Sequence, residues 1–398
     1  TMSMTSSSQG QQRRFSEAER SLIKRMFSED YSFFGLPFTL LSDSKDVIRE
    51  FGDIYRRFKR KSEGGKDKDI PSVSISLLME TEEGRPVLIT PDSRLILDGN
   101  DIPSSIYLFI LNYAFREARN HFIIHGGVVE KGGRGIIISA SSSVGKTTLI
   151  LELVKRGFYF LSDELAPVRR NTGLIELFPR SIGMRNNGIL RPDSIGTRND
   201  REQKAKNEFK EMVDISDIPG GKIGNPCLPR CVIFLSPPLK EEMEDQYSRV
   251  MEIAFSRIDG ELIRSLQGME GIIMIERLDG RPYPTLRLNV SKTPVIERIE
   301  DICRGLGIFI LNSHWGISEP PDYTATPKIE RLQGSSGLIE LAKHLLNGRA
   351  PSRLSQEFNN SQSRIMMELA GIFERVSFYR LTIGRLKDTA DIIEGMQE

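Results

Sequence analysis

One stretch constrains this chain more than any other. Ala140-Ser-Ser-Ser-Val-Gly-Lys-Thr-Thr148 stands between an apolar run, Gly135-Ile-Ile-Ile-Ser139, and an amphipathic run, Leu149-Ile-Leu-Glu-Leu-Val-Lys155. Strand, small-residue turn and helix, in that order, are the context a phosphate-binding loop requires. Successive backbone N–H groups wrap a β-phosphate, and a helix starting near Gly145 points its positive end at the anion. Ser141, Ser142, Ser143, Val144, Gly145, Lys146, Thr147 and Thr148 are the expected nucleotide contacts. Lys146 offers an ammonium to the β- and γ-phosphates, and the Thr147 hydroxyl can ligate Mg²⁺. The first position is Ala140 rather than Gly, a departure some phosphate loops show. A Ser-rich turn with a chance Gly-Lys-Thr is the plain alternative, and the flanking strand and helix argue against it. The stretch predicts ATP or GTP binding.

At 398 residues the chain can bury one large core or two of ordinary size. Hydrophobic content of 38% with 27% charged residues suits a soluble globular protein. A net charge of +1 gives no global reason to expect nucleic acid or a membrane as partner. No apolar run approaches the roughly 20 residues of a membrane span; Ile106 to Phe115 is short, and Asn112 interrupts it. Thr1 to Arg14 is rich in Ser and Gln without an apolar centre, so it reads as a disordered tail rather than a secretion signal. Three cysteines, Cys227, Cys231 and Cys303, make an odd count that fits a reducing cytoplasm. Cys227 and Cys231 have the spacing of half a zinc site, but no second pair accompanies them.

Periodicity sketches the rest. Phe15 to Phe27 and Ser44 to Phe58 read as amphipathic helices, and Ser104 to Arg119 as a largely apolar one. Val73 to Leu77 and Pro86 to Thr90 read as strands. Residues 1 to 29 are thus expected as a tail with a short helix, and 30 to 118 as a small α+β N-terminal unit. Phe122 to Glu130 and Gly135 to Ser139 read as two strands joined by the hairpin turn Lys131-Gly-Gly-Arg134. Phe158 to Leu161 is a third strand, and Leu165 to Arg169 turns at Asn171-Thr-Gly173 into a return strand, Leu174 to Phe178. A polar insertion is expected at about 186 to 228, either solvated or acting as a lid, followed by the strand Cys231 to Leu235. Ser313 to Lys328 and Asn347 to Ser363 look like loops. A helix (Ser363 to Arg375), a strand (Val376 to Leu381) and a helix (Leu386 to Met396) finish the chain.

Ligands of open α/β sheets sit at the carboxyl ends of strands, so Asp163 should face the same crevice as the loop. A carboxylate there can hold Mg²⁺ or accept a proton from an attacking hydroxyl. Glu164 is adjacent; as a solvated turn the pair would mean nothing, but beside a phosphate loop it points to chemistry. His125 precedes Gly126-Gly127, which permit close approach of a ligand, although a lone strand histidine is more often a packed residue.

Taken together, His125-Gly-Gly-Val-Val129, Ile136 through Thr148, Glu152-Leu-Val-Lys-Arg-Gly157 and Leu161-Ser-Asp-Glu164 resemble the core of the HPr kinase/phosphorylase family, and most of all its looser, peptide- or protein-directed serine kinases. The specific likeness covers residues 121 to 165. Weaker likenesses lie at Phe34-Gly-Leu36 and from Phe378-Tyr-Arg-Leu381 onward. The resemblance implies an α/β phosphate-loop core like that family's C-terminal domain, at 119 to 398, behind the small α+β unit. It also implies ATP and Mg²⁺, with Thr147 and Asp163 as metal ligands and His125 in the catalytic network. Asp163 matches the first of a usual Asp-Asp pair; Glu164 departs from it, which leaves base and metal roles open between them. A signature region for dephosphorylation is not found, so reversal is not expected. Phe178-Pro-Arg-Ser-Ile-Gly-Met-Arg185 resembles a downstream family segment, making Arg180 and Arg185 expected phosphate contacts unless they are surface arginines flanking a turn.

The expected activity is transfer of the ATP γ-phosphoryl group to a hydroxyl, foremost serine on a peptide or small protein, in the cytoplasm. A metabolite acceptor and a non-catalytic nucleotide switch are the alternatives, and self-association is left open.

Overall fold

In the computed structural model, the described residues are 26–60, 73–79, 86–90, 94–96, 102–140, 144–184, 211–236, 250–255, 257–278, 284–291, 295–306, 308, 310–315, 324–348 and 352–396. The expected helix at Phe15 to Phe27 lies almost wholly outside them, as do Ser141, Ser142, Ser143 and Arg185.

Side chains alternate across a strand, so one that is apolar throughout must be covered on both faces. Strand β8 (Arg134–Ala140) is of this kind: Ile136 and Ile138 enter one core, and Ile137 enters another. It lies inside a six-stranded sheet whose other members are β7 (Gly127–Lys131), β9 (Tyr159–Ser162), β13 (Leu228–Ser236), β18 (Lys328–Leu332) and β19 (Ser377–Thr382). The order is β18-β19-β13-β8-β7-β9, with β13 parallel to both β8 and β19. Helix α3 (Lys146–Lys155) and helix α9 (Leu386–Gly395) cover one face, together with Val129, Ile233 and Leu381. The opposite face carries Val232, Phe234 and Phe378 against α6 (Gly334–Lys343), α7 (Arg353–Glu357) and α8 (Gln362–Ile372). Helices on both faces of the sheet, with α3 the next element after β8, make a three-layered α/β core.

The N-terminal unit is α+β. Its sheet runs β1-β2-β3-β4-β5, from β1 (Phe27–Phe33), β2 (Leu36–Ser42), β3 (Val73–Leu78), β4 (Val87–Ile89) and β5 (Arg94–Ile96). Helices α1 (Lys45–Ile54) and α2 (Ile102–Glu117) bury Val47, Phe51, Ile106 and Ile110 in its core. Ser44 caps α1 by accepting from Val47 N. This core is aromatic, and Phe178 from the C-terminal part joins it, its ring 5.5 Å from that of Phe33.

Four expectations are corrected. Phe122 to Glu130 is two strands, β6 (His121–His125) and β7, broken at Gly126. β6 leaves the main sheet and pairs with β10 (Leu165–Arg169). Leu174 to Phe178 forms no full strand: Ile175 makes single bridges to Val168 and Cys227. The end of the expected polar insertion belongs to the core: β11 (Ile182–Met184) pairs with β12 (Glu211–Val213), and Ile215 and Ile218 are buried against α3's cluster. Finally, Ser313 to Trp315 end a strand, and α7 lies within the segment expected to be a loop.

The largest feature absent from the sequence reading lies between β13 and β18. There β14 (Val250–Phe255), α4 (Gly260–Gln267), β15 (Ile272–Leu278), β16 (Thr285–Val290), α5 (Ile296–Leu306) and β17 (Ile310–Trp315) follow one another. They form an antiparallel sheet in the order β15-β16-β14-β17. This is a split βαββαβ unit with its own core, including Met251, Ile253, Phe255, Leu262, Leu286, Leu288 and Ile299.

Candidate active site

The hairpin turn between β7 and β8 is closed by Gly132 and Gly133 at φ 64° and 77°, which glycine alone adopts without strain. That hairpin sets Gly127 opposite Ile138, next to the strand that runs into the loop. β7 also pairs with β9, with Val128 opposite Ser162. The end of β9 therefore comes against Gly127, where a Cβ would stand 3.2 Å from the Asp163 Cα and 2.0 Å from Ile150 Cδ1. No side chain fits there. The glycine brings the acidic pair up against the helix that follows the phosphate loop.

At the helix start, Gly145 holds φ 91° and caps α3. Val144 is buried; Gly145, Lys146, Thr147 and Thr148 are half-buried. Lys146 Nζ lies 3.1 Å from His125 Nε2. An ammonium can only donate, so the imidazole presents a lone pair at Nε2 in this contact. The β6–β10 register sets His125 opposite Leu165, and Gly126 N donates to the Glu164 carbonyl at 2.9 Å. Ser139 Oγ donates to the His125 carbonyl at 2.7 Å, fixing the break between β6 and β7 to β8. The loop lysine, His125 and the acidic pair are thus neighbours through backbone pairing.

Asp163 is buried at 3% exposure, while Glu164 is half-buried. Arg180 reaches both. Its Nε is 2.8 Å from Glu164 Oε2, close enough for ion pairing but without the alignment of a hydrogen bond. The same Nε is 3.5 Å from Asp163 Oδ1, and Nη2 donates to Asp163 Oδ2 at 3.5 Å. Burial works to lower the Arg180 pKa, but the Asp163 and Glu164 carboxylates reverse this and hold the guanidinium firmly charged. Arg180, expected at a phosphate, is committed to the acidic pair.

Two site residues carried no signal strong enough to be found in the sequence. Tyr107 on α2 donates its phenol to Glu164 Oε2, and the Arg180 guanidinium lies over its ring at 5.5 Å. Its one cue was a hydroxyl in the apolar run Ile106 to Phe115. His344 follows α6; its carbonyl accepts from His125 N at 2.8 Å, and its ring stacks on Phe234 at 5.7 Å. Burial pushes the His344 imidazole down to about 4; Glu340 opposes this, while Lys146 and Lys343 add to it.

Thr147 and Asp163 offer a hydroxyl and a carboxylate, the oxygen donors Mg²⁺ takes together with waters and phosphate oxygens, so the residues fit that ion. Among the described residues no group of three or more His, Cys, Asp or Glu side chains is arranged to hold a metal by itself. Cys227, Cys231 and Cys303 are free and buried, and burial pushes each thiol up to about 12. Among the described residues no helix is long and apolar enough to cross a membrane.

A central β8, a left-handed Gly145, a helix opening on Lys146 and a buried acid just after β9 make up an α/β core of the expected class. No family model matches the chain. Curated relatives do: the HPr kinase/phosphorylase of Clostridium kluyveri is 27% identical over 164 residues, 35% of this chain and 53% of that one. The HPr kinase/phosphorylase of Clostridium botulinum is 36% identical over 83 residues, 20% of this chain and 26% of that one. Among solved structures, the Hpr(Ser) kinase/phosphatase of Coxiella burnetii matches 46% of this chain and 95% of its own, at 15% identity and a TM-score of 0.19. Over these partial stretches the chain is similar to HPr kinase/phosphorylases. It spans about half the length of the first of these relatives and about a quarter of the second.

Proposed function

We propose that the protein is an ATP- and Mg²⁺-dependent kinase that phosphorylates a hydroxyl, foremost a serine on a peptide or small protein. The observation that supports this best is the contact of the loop lysine with His125, beside a buried Asp163 and a half-buried Glu164. Switch proteins need the phosphate loop; a buried carboxylate held beside it is what proton removal needs.

In this reading Lys146 binds the β- and γ-phosphates of ATP and neutralises charge that builds on the departing ADP oxygen. Asp163 takes the proton of the acceptor hydroxyl as its oxygen bonds to the γ-phosphorus and the bond to ADP breaks. His125 accepts a hydrogen bond from Lys146 and so fixes where the ammonium points. Mg²⁺, when bound, would lie at Thr147 and Asp163 and would neutralise phosphate charge. Arg180 keeps the two carboxylates together against their mutual repulsion.

The test is intact-mass spectrometry of candidate peptides and small proteins after incubation with ATP and Mg²⁺. A gain of one phosphoryl group with wild type, absent with Lys146→Ala, is expected. ATP binding with no modified acceptor of any class would overturn the kinase reading in favour of a nucleotide switch.

A further inference from the structure

The hairpin joining β1 and β2 turns in two residues: Phe33 pairs with Leu36, and only Phe34 and Gly35 lie between. Both hold left-handed backbone, at φ 52° and 77°. Such a turn ordinarily takes Asn-Gly or Asp-Gly, because a bulky side chain is strained at positive φ. A phenylalanine that holds this conformation is kept in it by what its ring touches. The Phe34 ring stacks on that of Phe178 at 5.2 Å and 15°, with Phe115 at 6.1 Å and His121 at 6.3 Å. Phe178 is buried, and the rings of Phe33 and Phe58 meet it as well, at 5.5 and 4.7 Å. Arg180 stands two residues further on. Phe178 N donates to the Leu161 carbonyl at 3.0 Å, so Arg180 and Asp163 each follow one tied position by two residues. Beyond the arginine, Ser181 N and Oγ donate to the carbonyls of Ile54 and Asp53 at the end of α1, at 3.1 and 3.2 Å. The N-terminal unit therefore holds the Arg180 backbone from both sides.

We propose that Phe34 is a positioning residue: the hairpin tip of the N-terminal unit seats Phe178 and thereby aims Arg180 at Asp163 and Glu164. A guanidinium on a long, rotatable stem has a definite direction only where its backbone is fixed. Aromatic rings have preferred stacked and edge-on geometries, so a ring cluster fixes Phe178 in orientation as well as in depth, which an aliphatic neighbour does not. Strain at a bulky left-handed residue persists only where the surrounding packing over-determines it, and here that packing is the cluster around Phe178. The same tip lies against His121, at the start of the strand that ends in His125. Phe34 acts through Phe178 and Arg180, not on the substrate.

This inference rests on the kinase reading, and its tests separate the two. Phe34→Asn relieves the turn, because Asn suits left-handed backbone, yet it removes the ring. It should lower kcat by roughly ten- to a hundredfold while leaving KM for ATP in place. Phe34→Tyr keeps the ring and should restore kcat. Gly35→Asn changes the turn without touching the ring, in a place where an added Cβ meets nothing within 4 Å, and should leave kcat as it is. On an Arg180→Lys background, Phe34→Asn should have no further effect. Unchanged kcat in a folded Phe34→Asn would overturn the proposal, as would an effect that adds in full to that of Arg180→Lys. Should Phe34→Asn not fold, Phe34→Leu, apolar but without a flat ring, is judged by the same criteria. A readout without turnover is NMR of the Arg180 Nε–H in arginine-labelled protein, assigned by its loss in Arg180→Lys. That nitrogen is buried, so its proton should exchange slowly in wild type and roughly tenfold faster in Phe34→Asn. Such release, together with a wild type that phosphorylates nothing, would sink the kinase reading and keep the positioning role. Transfer by wild type, with an Arg180 signal that Phe34→Asn leaves unmoved, would do the reverse.

Discussion

Arg180 and Arg287 each face two carboxylates, yet their surroundings give the two arrangements different meanings. Arg287 Nη2 lies 2.8 Å from Glu252 Oε1, and Nη1 lies 3.0 Å from Glu276 Oε2. The three residues stand side by side on β14, β16 and β15, in register across the βαββαβ sheet. Cross-strand pairing of opposite charges explains that triad as sheet stabilisation. Asp163 and Glu164 are instead consecutive residues at the end of β9, and their separation is set by the turn there rather than by a ladder. Beside them stand Lys146, His125 and the close backbone approach that Gly127 allows. An arginine between carboxylates is therefore no mark of chemistry by itself. In the proposed function the neighbouring Lys146 and His125 make it one.

The largest effect that would break this comparison is on the loop. Lys146→Ala should reduce phosphoryl transfer by about a thousandfold or more, measured by acceptor mass. Retention of substantial transfer would place the chemistry elsewhere. Asp163→Asn should lower transfer by about 10²–10⁴-fold with nucleotide binding retained, as expected of a proton acceptor; loss of binding as well would point to the metal role.

The second triad should answer differently. Glu252→Ala leaves Arg287 without its buried partner, and Arg287 is 22% exposed, so part of the usual penalty is relieved by solvent. A loss of about 1–3 kcal/mol in urea unfolding is expected, with transfer per folded molecule unchanged. Unchanged stability with lost transfer would erase the distinction between the two triads. Gly127→Ala forces a methyl to within 2.0 Å of Ile150 Cδ1. Ile150 is fully buried, so about 1–3 kcal/mol of overpacking is expected in the same assay, with weakened transfer.

The smallest effect is a pH dependence. His344 falls from an ordinary 6.5 to about 4 in the folded protein, so between these values the unfolded chain binds the extra proton. Its contribution to stability is full above about 6.5 and is lost as pH falls towards 4. Replacing His344 with Gln should flatten the fall in Tm over that window; an unchanged slope would remove His344 from the crevice's charge balance.

The sequence by itself determined what is local. The apolar run of β8, the small residues of the loop and the amphipathic α3 are short-range signals, and they were enough to place Lys146 and Thr147 at the start of a helix and Asp163 at the end of a strand. Glycines at Gly132, Gly133 and Gly157 marked turns because their φ values exclude other residues at little strain. The break of β6 from β7 was not legible, since Phe122 to Glu130 reads as one apolar run and only pairing partners divide it. The βαββαβ unit escaped for a related reason: its strands look like any others until the order β15-β16-β14-β17 separates them into their own sheet. Only tertiary structure could bring Tyr107 to Glu164 and His344 to His125, because hydrogen bonds between residues far apart in the chain leave no periodic trace in it. Residue types chose the chemistry available to the site; the packing of the aromatic N-terminal core against Phe178 and Arg180 decided that Tyr107 meets Glu164.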